Sequence, residues 1–126
     1  MSKESDATQP PELRTFRIER RTTPTERYNV IGRLVVGIPR AEYLKLVEKY
    51  PPNPVSQVPD RRVDEAIQAK IGDGEMDKLR NYLGLPAYAD IRIEAHWLNV
   101  LASDYLSRKP AFQGPEEGAK FWVDPQ

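Results

Sequence analysis

The 126-residue chain has no cysteine, a single histidine and no net charge. The missing cysteine excludes a disulfide framework, thiol catalysis and thiolate metal sites. With nineteen basic against nineteen acidic residues, nothing draws the whole molecule toward nucleic acid or a membrane surface. No apolar run approaches the roughly 18 residues that span a bilayer, and the first twelve residues lack the apolar centre of a signal peptide. A cytoplasmic protein with no membrane contact is therefore expected. A Walker loop, a dinucleotide fingerprint, zinc-ligand spacing and a nucleophile elbow are all missing, so no cofactor and no catalytic residue is assigned.

What is present is charge and proline. Charged residues make up 30% of the chain, twelve residues are proline, and hydrophobic content is 39%, a balance that implies one domain with substantial loop or tail. Residues 1–12 are polar, end in Pro10-Pro11, and read as a disordered N-terminal arm. A single α+β domain is expected over 13–109, and an extended aromatic-containing tail over 110–126.

Two strands open the domain. In Arg14–Thr22, Phe16 and Ile18 share one face while Arg17, Glu19 and Arg21 share the other. In Tyr28–Ile38 the residues Tyr28, Val30, Leu34, Val36 and Ile38 have one parity, and Gly32 marks a bulge or a close backbone approach. An antiparallel hairpin follows, to which a C-terminal strand could be added.

Helices come next. One is expected over Arg40–Tyr50, with Ala41, Leu44 and Val47 inward and Tyr43 and Tyr50 as further inward candidates, stopped by Pro51-Pro52-Asn53-Pro54. A second runs to Ile71 from an Asp60 cap, with Val63, Ala66, Ile67 and Ile71 at helical spacing. A third covers Glu75–Leu83, burying Met76, Leu79, Tyr82 and Leu83 and ending at Gly84. The stretch Asp90–Lys109, capped by Asp90, is apolar around most of a helical wheel. That pattern predicts a long central helix at about 90–109. Ile91, Ile93 and Ala95 also alternate, so 89–95 has a second reading as a strand feeding a shorter helix from His96. The pattern runs longer than strands usually do, which favours the helix. The expected fold is thus an N-terminal β-hairpin packed on three to four helices, the central one near 90–109.

Few residues suggest chemistry. On the expected helix, His96, Asn99 and Ser103 fall on one polar line with Asp104 nearby. A mid-helix serine lacks the free amides of an oxyanion hole, and a polar stripe explains the line better. Glu94 and Asp104 fall inside the apolar arc and call for cationic partners, for which the hairpin's Arg17, Arg20 and Arg33 are the obvious donors. Asp73, Glu75 and Asp77 around Gly74 do not match a calcium loop, and Asp73 reads as a helix cap.

The tail carries Phe112, Phe121, Trp122 and Val123, an aromatic content that a free tail does not have. These residues are expected to pack on the domain itself or on a partner, either another protein or a second copy. The leading expectation is a non-enzymatic protein–protein interaction module: an accessory subunit, assembly factor or inhibitor binding through this tail. The alternative is nucleic-acid binding through Arg17, Arg21 and Arg33, and a small enzyme using His96 or Glu94 ranks below both.

Overall fold

A computed structural model describes residues 10–113 and 119–125. The described residues form an α+β fold, a five-stranded antiparallel sheet with four helices. The strands are β1 (Glu12–Arg21), β2 (Asn29–Ile38), β3 (Asp90–Ala95), β4 (Phe112–Gln113) and β5 (Lys120–Pro125). The helices are α1 (Arg40–Lys49), α2 (Arg61–Ala69), α3 (Asp73–Leu83) and α4 (Ala102–Leu106). The sheet order is β3-β1-β2-β5-β4, so the hairpin sits in the middle and later segments are added on both sides. The expected N-terminal arm lies outside the described residues up to residue 9, and Glu12 already belongs to β1.

Alternation sets the two faces of the sheet. Phe16 and Ile18 of β1, Leu34, Val36 and Ile38 of β2, Ile91 and Ile93 of β3, and Phe121 and Val123 of β5 all join one buried core. Val63 and Ile67 of α2, Ile71 and Leu79 close that core from the helix side. A fully buried phenylalanine such as Phe16 or Phe121 contributes about 1.5–3 kcal/mol. The pairing of β1 with β2 shifts between Ile18 and Glu19, leaving Ile31 as the extra residue of a bulge. A Cβ on Gly32 would come 2.9 Å from the Asp124 carbonyl oxygen. The close-approach reading of Gly32 holds, and the bulge falls at its neighbour Ile31.

Local signals placed the helix ends. The Asp60 side chain accepts from the Arg62 amide at the start of α2, and Gly84 takes the left-handed conformation, φ 68°, that stops α3. Three details differ from expectation. Gly72, not Asp73, is the N-cap of α3. Tyr82 is exposed. Ala41 and Leu44 of α1 also face solvent, and Leu46 joins the expected Tyr43 and Tyr50 against the core.

The largest correction concerns 90–109. There is no long central helix. Asp90–Ala95 is an edge strand paired with β1, residues 96–101 run without regular structure, and only Ala102–Leu106 is helical. The strand reading of 89–95 is the one the structure takes, although His96 does not begin a helix. Asp90 is accordingly no cap: its carboxylate accepts from Arg21 Nε at 2.7 Å and from the Tyr28 hydroxyl at 2.6 Å.

Candidate interaction surface

The face of the sheet away from the large core carries charge in register. Glu94, Arg17, Arg33 and Asp124 lie side by side across four strands, and Arg92 lies opposite Glu19, Arg21 opposite Asp90. The cross-strand contacts are short: Arg92 Nε to Glu19 at 2.6 Å, Arg21 Nε to Asp90 at 2.7 Å, and Arg33 Nη2 to Asp124 at 2.8 Å. Tyr28 lies under the guanidinium groups of Arg92 and Arg21, 4.0 and 4.6 Å from its ring centroid. Hydrogen bonds from Tyr28 and then Arg21 hold the Asp90 carboxyl below its ordinary range.

Asp124 is the densest node. It accepts from Arg33 at 2.8 Å, the Tyr105 hydroxyl at 2.6 Å and Arg108 at 2.8 Å, so β5, β2 and α4 are tied at one carboxylate. Burial acts to raise its pKa, but hydrogen bonds from Arg108, Tyr105 and Arg33 outweigh burial and hold it at about 2. Beside it, Val35, Tyr105 and Trp122 form a second small core with Leu13 and Val100. The Trp122 ring lies so close to Gly37 that a Cβ there would meet it at 2.8 Å.

A third node joins the hairpin to the helices. Arg14 donates to the Tyr43 hydroxyl at 2.6 Å and lies 3.4 Å from Asp64 of α2. Its guanidinium also rests 5.1 Å from the ring centroids of both Tyr43 and Trp97. Burial raises the Asp64 pKa, with Arg14 opposing it.

The residues singled out in the sequence therefore fall in three places. Phe121, Trp122 and Val123 are buried as β5, and Phe112 stacks on Phe121 at 4.8 Å between ring centroids. Of the two expected placements, the described tail residues take the one on their own chain: Phe121, Trp122 and Val123 are core, and Phe112 is partly buried against it. Arg21 and Arg33 are held by Asp90 and Asp124, and Arg17 lies 3.8 Å from Glu19. All three expected phosphate contacts thus stand beside acids. Glu94 faces Arg17 in register but pairs with Arg92 at 3.6 Å. Asp104, expected to reach the hairpin arginines, is exposed on α4.

His96, Asn99 and Ser103 share no helix face, because the backbone straightens at 96–101. The His96 amide instead donates to the Thr15 carbonyl at 2.9 Å, and the Thr15 hydroxyl donates to the His96 carbonyl. An open cleft of about 310 Å³ lies where Arg17, Arg33, Val30, His96, Leu98 and Asp124 meet. Among the described residues no group of three or more His, Asp or Glu side chains is placed to hold a metal ion, and no helix is long and apolar enough to cross a membrane.

Sequence reasoning missed the most unusual surface. The segment after β3 leaves Trp97, Leu98, Leu101 and Leu106 exposed at 58%, 45%, 68% and 49%, four large apolar side chains within ten residues. On a helical wheel they seemed to belong to a core arc. The signal that separates the readings is Ile91–Ala95, whose strict alternation stops where the exposed run begins.

Comparisons with protein-family models, with curated proteins and with solved structures return no match to this chain.

Proposed function

We propose that the chain is a non-enzymatic protein-interaction module, an accessory subunit, assembly factor or inhibitor that works by contact. The observation that supports this reading is the exposure of Trp97, Leu98, Leu101 and Leu106 on the irregular segment and short helix that follow β3. Large apolar groups concentrated on one surface segment mark contact sites more often than isolated ones do. The segment is also anchored at both ends. Thr15 holds His96 at its start, while Tyr105 sits in the small core and bonds Asp124 at its end. Anchoring of this kind presents side chains with little ordering left to do on binding. The expected tail residues serve this surface indirectly, since Trp122 is the floor on which Tyr105 packs edge-on at 5.9 Å.

The test is affinity capture from the source cell with the wild-type chain and with Leu101→Glu and Leu106→Glu variants that keep the wild-type circular dichroism spectrum. A partner retained by the wild type and lost by both variants supports the reading. Retention of the same proteins by all three chains, or of none by the wild type, overturns it.

A further inference from the structure

The charged rungs of the sheet end abruptly at β3, the exposed edge. Among the described residues no further strand closes its outer side, since the sheet order begins with β3. Antiparallel pairing alternates residues that bond the neighbouring strand with residues that point away from it. His96 bonds Thr15 on the β1 side, whereas the Ile93 carbonyl accepts from Gln68 Nε2 at 3.0 Å on the opposite side. By that alternation Ile91, Ile93 and Ala95 direct their amides and carbonyls outward. An edge of this kind is a template for another strand.

We infer that the strand added there is β3 of a second copy, paired antiparallel about a two-fold axis at Ile93. The sequence of the edge is self-complementary about that residue. In this register Ile93 faces Ile93, Ile91 faces Ala95, and Arg92 faces Glu94 twice, once on each side of the axis. Asp90 falls opposite His96, a pair that is never like-charged. The hydrogen-bonding pattern agrees independently, because the outward residues Ile91, Ile93 and Ala95 pair only with one another. Arg92 and Glu94 then occupy the non-bonded sites, where side chains approach most closely. Isologous pairing of this type closes on itself and gives a dimer with one continuous sheet. A groove of about 400 Å³ beside the strand, lined by Arg61, Glu65 and Gln68 of α2 and by Trp97, gives the approaching strand room. The Gln68 amide occupies the position that the partner's Ile93 amide takes.

The inference rests on the interaction reading, naming a second copy as one partner, but it uses the β3 edge and not the exposed leucines. Its test exploits the absence of cysteine. Chains carrying Arg92→Cys are mixed with chains carrying Glu94→Cys and oxidised, alongside each variant alone. Non-bonded cross-strand pairs lie about 4.5 Å apart at Cα, within disulfide reach. The expected result is a covalent dimer, twice the 14.5 kDa of one chain, in the mixture and not in either variant alone. No cross-link in the mixture, or equal cross-linking in all three samples, overturns the register. Light scattering gives the second measurement. The wild type runs as a dimer, and Ala95→Pro, which deletes an outward amide and no bond to β1, runs as a monomer with unchanged circular dichroism. If Ala95→Pro fails to fold, Glu94→Arg serves instead, setting arginine against Arg92 on both sides of the axis. A wild-type monomer, or a dimer that survives these variants, overturns the inference. A dimer lost on Leu101→Glu but not on Glu94→Arg overturns it too, while leaving the proposed function standing.

Discussion

Asp124 should keep its charge in acid after most carboxylates have lost theirs, and the fold should weaken as it finally takes up a proton. The ordinary aspartate pKa is 3.8, and in the folded chain Asp124 is held at about 2. A carboxylate whose folded pKa is depressed contributes stability that is complete above its unfolded pKa and is lost as pH falls through the folded one. The gap between the two values is worth about 2 kcal/mol at 1.36 kcal/mol per pH unit. The side chain is only 25% exposed, so solvent screening does not reduce that figure much. Urea unfolding from about pH 5 to about pH 1.5 should therefore cost the wild type about 2 kcal/mol more than it costs Asp124→Asn. Asparagine keeps an acceptor oxygen for Arg33 and Arg108 but does not titrate, and contributions from other carboxylates cancel in the comparison. Equal acid losses in the two chains would refute the reasoning. So would a carboxyl resonance of Asp124 that titrates near its ordinary value.

Other perturbations separate the remaining nodes. Gly32→Ala places a Cβ 2.9 Å from a backbone oxygen that cannot move without parting β2 from β5, and should cost about 1–3 kcal/mol, read as a lower urea midpoint. Arg14→Ala strands buried Asp64 and should cost about 3 kcal/mol at neutral pH. Adding Asp64→Asn to that variant should restore part of the loss, and a double mutant no more stable than the single would refute the pairing. Gln68→Ala releases the Ile93 carbonyl and should tighten self-association, measured as a lower dissociation concentration in sedimentation.

The hairpin was legible because the side chains that each strand sends into the large core alternate, and Phe16, Ile18, Leu34 and Val36 spell that set out, although Val35 of the other parity is buried in the small core. Asp60 and Gly84 were legible because a cap and a left-handed stop are local requirements. The stretch 90–109 was not, for a physical reason. Ile91 and Ile93 are apolar at strand spacing, and Trp97, Leu98 and Leu101 continue as an apolar run that a helical wheel accepts equally well. Only tertiary pairing with β1 decides between them, and that pairing spans most of the chain. The buried fate of Phe121, Trp122 and Val123 could be read as burial but not as burial within the same chain. The Asp124 node was invisible beforehand, since Arg33, the Tyr105–Arg108 pair and Asp124 itself lie in three separate segments. Exposed leucines after β3 could not be told from core leucines until the strand had been placed.

The position of β5 inside the sheet also sets a clock. Arg33 and Asp124, whose ion pair locks β2 to β5, are 91 residues apart in sequence. At the usual speed of translation, β2 waits on the order of 5 to 20 seconds for the strand that pairs with it. Throughout that interval Leu34, Val35 and Val36 belong to a strand with one open side, in a nascent chain whose first hairpin is already available to misassociate. A chaperone that engages the ribosome-bound chain would have its longest opportunity in that window, and the arrival of Phe121 and Asp124 would end it.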